Sequence, residues 1–352
     1  MDKKDLKQIY NSSPIGLLIL LVIVGIMPFV VNSNYIFAVF IMIGIYAIVC
    51  NGLTMLIGYA GQISLGHAAF YGIGAYSSAI VSATYGLSPW LGILVGMIIA
   101  AIVALVVGIP TFKLKGHYLA LATLGFGIIV FTLFKEFRDL TGGSNGFFGI
   151  PSISFFGFEF NSDARYFYLV WLFVILGIIF SRNIINSRIG RALRSIEGSE
   201  IASDAVGVNI MSYKLQVFVL SAMSSSLAGS LLAHYVSFIN PDLFGVMTSI
   251  YFLIMVIIGG SQNIWGSIIG ACTYVLLGET LKQYIPILLP STGGEFEIVF
   301  FGVLLVVTLI YMPHGLAPQL ERLFSKFNRK KAGKQPSLQV RKKQIASGGE
   351  NQ

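Results

Sequence analysis

The chain has 352 residues, of which 55% are hydrophobic and only 11% are charged, and its formal net charge at pH 7 is +8. Soluble globular domains carry about 25% charged residues, so this composition excludes a water-soluble fold. Apolar runs of roughly the 20 residues that a helix needs to cross a bilayer recur along the chain. We therefore predict an all-α, polytopic transmembrane helix bundle, in which each backbone polar group is satisfied within its own helix.

Hydropathy predicts ten helices in chain order. Their approximate bounds are 15–31, 35–57, 64–84, 90–109, 118–134, 166–180, 214–238, 246–260, 265–281 and 297–312. The eighth and ninth helices are short and are joined by the polar, glycine-containing segment 259–263. This pair could also enter and leave the membrane without crossing it, so about ten spans are predicted and eight are possible, with the same topology in both cases.

Lys and Arg residues predict the orientation, because they are retained in cytoplasmic loops. With both termini cytoplasmic, all but four of the 23 Lys and Arg residues lie inside. The four outside are Lys135, Arg138, Arg165 and Lys282. One missed or invented helix would invert every later loop and destroy this asymmetry. We expect the chain in a prokaryotic cytoplasmic (inner) membrane, with membrane lipid around it and no nucleic-acid partner.

The chain divides into two predicted parts. Residues 1–320 form a transmembrane domain, with a cytoplasmic loop at 181–214 and an extracytoplasmic loop at 135–165. Residues 321–352 form a basic cytoplasmic tail that we expect to be disordered. The tail either anchors the topology, which we favour, or is attracted to anionic lipid headgroups.

The predicted helices contain few groups that could carry protons or ions. No Asp or Glu lies in the middle of a predicted helix, Glu279 lies near a helix end, and His67 and His234 are the imidazoles expected at depth. Ion-coupled carriers usually place such groups inside the bundle. Cys50 and Cys272 fall within apolar runs and are interpreted as core filler, so no metal site is expected.

The chain also lacks a phosphate-binding loop of the form G-x-x-x-x-G-K-[ST]. In its one Gly-Lys pair, at 333–334, Asn328 replaces the first Gly and Gln335 follows the Lys. We therefore expect no cofactor bound by this chain and no enzyme activity, with energy supplied by separate subunits. A carrier or facilitator that works alone remains the alternative.

Two glycine-rich segments, 58–62 and 259–262, share a small-Gln-x-x-x-Gly pattern. Glycine-interrupted helices often flank a transporter's substrate path, and close helix packing is the competing explanation. The substrate-pathway candidates are the polar side chains near these segments: Gln62, Ser64, His67, Tyr71 and Gln262. His67 is equally well explained as a buried hydrogen-bond partner.

The loop 181–214 contains RIGRALRSIEGSEIASDAVG at Arg188 to Gly207, which predicts a short helix ending near a glycine. Such a helix, lying across the membrane face, could transmit motion from an attached protein to the spans. A surface helix held by anionic lipid is the alternative.

Six segments together resemble the ABC-transporter permeases of the branched-chain amino acid (LivM/LivH) family, and the LivM type more than the other. The segments are Asn51 to Tyr76, Gly116 to Gly127, Thr141 to Pro151, Gly190 to Asn209, Ile257 to Ala271 and Met312 to Leu316. The resemblance implies import of branched-chain or related amino acids, or of urea on the same scaffold. The implied partners are a second homologous permease subunit, two ABC ATPase subunits that use ATP, and an extracytoplasmic solute-binding protein.

The resemblance also implies that the loop contacts the ATPase through a motif written E-A-A-x-x-x-G. In this chain Gly207 and Ala202 match, Ile201 stands in the Glu position, Glu200 lies one place early and Ser203 replaces the second Ala. The implied coupling residues are Arg191, Arg194, Glu197, Glu200, Ala202 and Gly207. The segment 135–165 is implied to dock the solute-binding protein, and packing over the bundle mouth is the alternative.

Overall fold

The structure, a computed structural model, describes residues 14–31, 33–114, 116–155, 157–288, 295–312, 315–317 and 319. Within these ranges the chain forms thirteen α-helices and two small two-stranded ladders. The all-α prediction is therefore confirmed. The predicted tail 321–352 lies outside the described residues.

Each of the ten predicted helices is present, and short helices lie in the loops between them. In chain order the helices are α1 (Pro14–Val30), α2 (Asn34–Thr54), α3 (His67–Ala79), α4 (Pro89–Thr111), α5 (His117–Glu136), α6 (Arg138–Thr141), α7 (Asp163–Asn186), α8 (Arg188–Gly198), α9 (Glu200–Ala205), α10 (Ile210–Val236), α11 (Val246–Gly259), α12 (Gly266–Leu288) and α13 (Glu295–Tyr311). Single π-helical turns, Met55–Tyr59 and Ile80–Thr84, extend α2 and α3. The predicted start of the third helix at 64 is wrong, because residues 60–66 are not helical and α3 begins at His67.

Five of the described helices are long and apolar enough to cross a membrane: Asn34–Tyr59, Pro89–Thr111, His117–Glu136, Asp163–Asn186 and Ile210–Val236. The shorter apolar helices include α11, Val246–Gly259. The 14 residues of α11 span about 21 Å, less than the roughly 30 Å of a hydrocarbon core. The lengths therefore leave the ten-span and eight-span predictions open.

Helix α4 shows how the bundle meets its apolar surroundings. Its buried face consists of small residues at every fourth position, namely Gly92, Gly96, Ala100, Ala104 and Gly108. Its exposed face carries large aliphatic residues, among them Leu91, Leu94, Ile98, Ile102 and Leu105. A helix that packs closely on its neighbours while facing lipid has this pattern, with small residues on the buried face and large apolar residues on the exposed face. The protein is integral to the membrane.

Helices α3 and α10 form the centre of the bundle. Helix α10 packs against α3, α4 and α2, and α2 packs in turn against α7 and α12. At the crossing of α3 and α10, a Cβ on Gly229 would lie 1.8 Å from the carbonyl oxygen of Tyr71. Only glycine permits this approach, and the backbones therefore touch where the two helices cross.

The loops separate into two ends of the bundle. At one end, which we call the α8 end, lie α8, α9 and the loops 60–66 and 260–265. The opposite end holds strands β1 (Phe147–Phe148), β2 (Ser154–Phe155), β3 (Phe158–Glu159) and β4 (Phe238–Ile239). Strand β1 pairs with β4, and β2 pairs with β3, both antiparallel. A salt bridge of 3.0 Å between Lys135 and Asp242 also lies at this end.

Candidate functional site

Three segments that carry most of the predicted site residues meet at the α8 end. The first break is the non-helical segment 60–66 between the π-helical turn of α2 and α3, and the second break is 260–265 between α11 and α12. The third is the α8–α9 segment, residues 188–209, which packs against the turn Met55–Tyr59 and against α10. The fold therefore unites residues that are as far as 200 positions apart in the sequence.

The first break is closed by its own hydrogen bonds. The Gln62 amide donates to the Leu56 carbonyl at 3.1 Å, and its side-chain Nε2 donates to the Ala60 carbonyl at 3.2 Å. Gly61 adopts a φ of +63°, a conformation that favours glycine. Gln62 is buried, and its amide group helps to hold the turn. Gln62 and Ser64 therefore both precede α3, although the helix predicted over 64–84 included Ser64.

His67 is the first residue of α3 and is fully buried. Its Nδ1 lies 2.9 Å from Ser64 Oγ and its Nε2 lies 2.8 Å from Ser221 Oγ on α10. The rings of Phe70 and Phe218 pack edge-on against the imidazole, with centroids 5.8 and 5.9 Å away. Both ring nitrogens are thus used within the fold, as the interpretation of His67 as a buried hydrogen-bond partner requires.

Tyr71 lies one turn further along α3 and differs from His67 in its hydrogen bonding. Its ring is buried and packs edge-on against Phe244 and Phe252, with centroids 5.6 and 5.4 Å away. Its hydroxyl has no hydrogen-bond partner among the described residues. Leaving such a group unpaired costs about 1–3 kcal/mol. Of the four candidates near α3, Tyr71 is the one whose buried side chain has a polar atom without a partner among the described residues. Its place in a substrate path stays a prediction.

Gln262, the fifth pathway candidate, lies exposed in the second break. Its backbone carbonyl accepts a hydrogen bond of 2.9 Å from the Tyr59 hydroxyl. Its side-chain Nε2 donates to Glu197 Oε1 on α8 at 3.2 Å. Gln262 therefore touches the segment predicted for coupling, whereas Gln62, its counterpart in the sequence pattern, is buried.

The two glycine-rich segments that share the sequence pattern pack directly on each other. A Cβ on Gly58 would lie 1.7 Å from the carbonyl oxygen of Ser261. Within the α11–α12 hairpin, a Cβ on Gly270 would lie 1.9 Å from the carbonyl oxygen of Met255. At these positions the close-packing explanation of the glycines is confirmed, because any side chain would collide with backbone.

Helix α8 is amphipathic and is inserted into the bundle by its apolar face. Leu193 and Ile196 are buried, whereas Arg191 is exposed. Arg194 Nη1 donates to the Ile185 carbonyl at 3.1 Å, and partial burial lowers the pKa of its guanidinium from the usual value. The helix predicted between Arg188 and Gly207 is thus present as α8 and α9, and Arg194 attaches it to the end of α7.

Helix α9 is tied to α10 by an ion pair. Lys214 Nζ lies 2.6 Å from Glu200 Oε1, and the side chain of Lys214 is only 8% exposed. The Ser199 hydroxyl caps the helix by accepting from the Ala202 amide at 3.3 Å. At the other end Gly207 adopts a φ of +83°. Glu200 and Gly207 therefore fix the geometry of α9.

Beyond these contacts α9 presents apolar side chains on its free surface. Ile201 is 84% exposed and Val206 is 76% exposed. Ala202 is exposed as well. This surface belongs to a loop rich in charged residues, where large exposed apolar side chains often mark an interaction surface. Ile201, which departs from the implied motif, is the more exposed of the two large apolar side chains.

Three further residues join the breaks to the bundle and were not predicted from the sequence. Tyr59 bonds the second break, Ser221 bonds His67, and Thr123 Oγ1 accepts from the Leu65 amide at 3.0 Å. Tyr59 lies in the glycine pattern, which offered a signal. Ser221 lies 154 positions from His67, and no local pattern could have indicated that contact.

The described interior holds few ionisable groups. The buried polar side chains of the described residues include no Asp or Glu. They do include one lysine, Lys214. Glu279 lies on α12 and accepts hydrogen bonds from the Tyr35 hydroxyl at 2.7 Å and from Lys282 at 3.1 Å. In the part of the chain that the structure describes, no group of three or more His, Cys, Asp or Glu could hold a metal ion.

The segment 135–165 packs over the opposite end of the bundle. His234 Nδ1 lies 2.7 Å from the Pro151 carbonyl, and Trp90 Nε1 donates to the Ser154 carbonyl at 2.8 Å. Within the segment, Ile153 is fully buried. Packing over the bundle mouth is therefore observed, and docking of a solute-binding protein stays a prediction.

Comparison with known proteins places these features in a family. The chain matches the family described as branched-chain amino acid transport system / permease component over residues 35–309. It is 31% identical over 325 residues to the high-affinity branched-chain amino acid transport system permease protein LivM of Escherichia coli strain K12, covering 86% of this chain and 74% of that protein. No solved structure matches the chain.

More distant relatives extend the same similarity. The probable branched-chain amino acid transport permease protein LivM of Methanocaldococcus jannaschii is 26% identical over 318 residues, covering 78% of this chain and 91% of that protein. The high-affinity branched-chain amino acid transport system permease protein LivH of Salmonella typhimurium is 26% identical over 302 residues, covering 79% of this chain and 93% of that protein. The bundle and its α8–α9 segment thus occur in a chain that belongs to the branched-chain amino acid transport system permease family.

Proposed function

We propose that this chain is a membrane-spanning permease subunit of an ATP-binding-cassette importer for branched-chain or related amino acids. In the proposed complex it pairs with a second homologous permease, and two separate ATPase subunits bind and hydrolyse ATP. An extracytoplasmic solute-binding protein delivers the amino acid. The chain itself binds no cofactor and catalyses no reaction. Family membership and the names of the relatives support this assignment.

The observation that carries the proposal is the form of the α8–α9 segment. Leu193 and Ile196 anchor it in the bundle, and the Lys214–Glu200 ion pair fixes α9 on α10. Its free surface presents Ile201 and Val206 to the surroundings. An element that is rigidly attached on one side and apolar on the other is suited to receive a protein partner and to pass its movement inward.

The described interior supports an external energy source. A carrier coupled to protons or ions usually needs ionisable groups within the bundle. The buried polar side chains among the described residues include no carboxylate, and His67 uses both ring nitrogens on serine hydroxyls. These features favour a permease driven by separate subunits over a carrier that works alone.

We infer a cytoplasmic location for the α8 end, and with it for both termini. Basic residues of the described chain near this end include Lys113, Arg182, Arg188, Arg191, Arg194 and Lys214. Lys135, Arg138, Arg165 and Lys282 lie toward the opposite end. The positive-inside rule supports this orientation in a prokaryotic inner membrane. A cysteine introduced at exposed Arg191 should react with a membrane-impermeant thiol reagent in inverted vesicles and not in intact cells. Reaction in intact cells alone would reverse the orientation.

Co-purification tests the proposed assembly. The tagged chain, extracted in mild detergent from its native membrane, should carry a second permease and ATPase subunits in a ratio of one permease pair to two ATPases. The purified assembly should hydrolyse ATP faster when a loaded binding protein is added. Recovery of the chain alone or as a homogeneous self-assembly, without any ATPase, would contradict the proposal.

A further inference from the structure

One residue of the α8–α9 segment, Glu197, lies close to both breaks. Its carboxylate accepts the hydrogen bond from Gln262 in the second break, at 3.2 Å. Its Cγ lies 3.9 Å from the position that a Cβ on Gly61 of the first break would occupy, so Glu197 lies beside that break. Glu197 is therefore placed between the coupling segment and the two places where the membrane helices are interrupted.

The two breaks in turn form one mechanical unit. The Tyr59 hydroxyl bonds the Gln262 carbonyl at 2.9 Å, and Gly58 lies against the backbone of Ser261. The second break therefore touches the π-helical turn Met55–Tyr59, which leads directly into the first break. From the first break, Leu65 continues the connection to Thr123 on α5. Five membrane helices therefore meet this unit, namely α2, α3, α5, α11 and α12.

The contact at Glu197 is important because it joins a regular helix, α8, to two irregular segments, the breaks. Helix α8 is a regular helix whose apolar face is buried, so it moves as a body. The breaks are short segments without helical hydrogen bonding, and hinges are commonly segments of this kind, which absorb changes in φ and ψ. A force applied to α8 would change the backbone conformation of the breaks if a specific contact joined α8 to them.

We propose that Glu197 is a positioning residue that links α8 to the two breaks through its hydrogen bond with Gln262, and so transmits displacement of α8 to α3 and α12. This inference rests on the proposed function, because it assumes that an ATPase moves the α8–α9 segment. It assigns Gln262 to transmission and separates it from the substrate-pathway candidates near α3.

The test uses the complete transporter, with both permeases, the ATPases and the binding protein, in proteoliposomes supplied with labelled leucine. Glu197→Ala and Gln262→Ala each remove one partner of the hydrogen bond. Glu197→Gln keeps an oxygen that accepts from Gln262 while removing the charge. The control is Gln216→Ala, since Gln216 is an exposed glutamine whose side chain bonds Ser212 within its own helix α10.

The measured quantity is ATP hydrolysed per leucine imported. We expect Glu197→Ala and Gln262→Ala each to raise this ratio by about fivefold, the lower end of typical couplings between sites. The double variant should be no worse than either single variant, because both remove the same contact. Glu197→Gln and Gln216→Ala should keep the wild-type ratio. Subunit content is measured for each variant, and the ratio is compared between complexes that contain both permeases and both ATPases.

Two outcomes would overturn the inference. One is an unchanged ratio in Glu197→Ala and Gln262→Ala while the wild-type complex imports leucine only with ATP. The other is a Glu197→Gln defect as large as that of Glu197→Ala, which would show that the charge acts and that the hydrogen bond does not. Failure of the proposed function would look different, since the wild-type complex itself would then import leucine equally well without ATP.

Discussion

Gly58 and Ser261 lie so close together that a single added carbon atom would not fit between them. A Cβ on Gly58 would come within 1.7 Å of the Ser261 carbonyl oxygen, far inside any van der Waals contact. The two residues belong to segments separated by about 200 positions, and each segment interrupts the membrane helices. Their contact shows that the two interruptions form one structural unit at the α8 end.

We expect Gly58→Ala to destabilise the protein by about 3 kcal/mol or more, because the new methyl group meets backbone that cannot rotate away. The matched control is Gly25→Ala in α1, where a Cβ would meet no atom within 4 Å and where alanine favours the helix. The unfolding temperature of the detergent-solubilised protein measures both. Equal unfolding temperatures for the two variants would contradict the close packing of the breaks.

His67 should act chiefly as a structural residue. Its replacement by Ala removes two hydrogen bonds and the ring between Phe70 and Phe218, which should cost about 3 kcal/mol or more of folding stability. Ser221→Ala should cost about 1–3 kcal/mol, since it leaves a buried ring nitrogen unpaired. Thermal unfolding reports both effects. A His67→Ala protein with unchanged stability and a selective loss of transport would instead make His67 a residue of the path.

Tyr71 should show the opposite behaviour. Its hydroxyl is buried without a partner among the described residues, so Tyr71→Phe should leave folding stability unchanged or increase it by about 1 kcal/mol. If the hydroxyl contributes to the substrate path, the same variant should reduce leucine uptake by the complete transporter. Tyr166→Phe is the control for stability, because the Tyr166 hydroxyl donates to the Leu231 carbonyl and its loss should destabilise the fold. A destabilised Tyr71→Phe protein would mean that the hydroxyl is paired after all.

Ile201 should be important for association with the ATPase and unimportant for folding. At 84% exposure its side chain contributes little to the packing of the isolated chain. We expect Ile201→Ala to weaken ATPase binding by about tenfold, the effect of losing roughly 1.4 kcal/mol of apolar contact. Ile98→Ala, which removes an equally large exposed side chain from the lipid-facing side of α4, should not change ATPase binding. Titration of purified ATPase onto the chain in nanodiscs measures both, and equal affinities would rule out Ile201 as a contact.

The sequence was sufficient to predict the helices, because each is a long apolar run and the membrane requires its backbone to be satisfied internally. The error at the third helix has a physical cause. Residues 64–66 are as compatible with helix as their neighbours by hydropathy, but Gly61 turns the chain and Thr123 captures the Leu65 amide. That second contact is long-range, so the local pattern could not reveal it.

The candidate site was less accessible from the sequence for the same reason. Gln62 and Gln262 occupy equivalent positions in a shared pattern, yet one is buried in its own turn and the other bonds Glu197. The pattern indicated the positions of the two breaks, but it did not predict the hydrogen-bond partner of either glutamine. Likewise, Ile201 interrupts the implied motif, and its exposure could be seen only in the fold.

The most direct measurement is leucine uptake into proteoliposomes that contain this chain with and without its ATPase subunits. With the second permease, the ATPases and the binding protein present, uptake should require hydrolysable ATP and should proceed against a leucine gradient. The chain alone should show no concentrative uptake under any ion gradient. Concentration of leucine by the chain alone, or equal uptake by the complete transporter without ATP, would contradict the account.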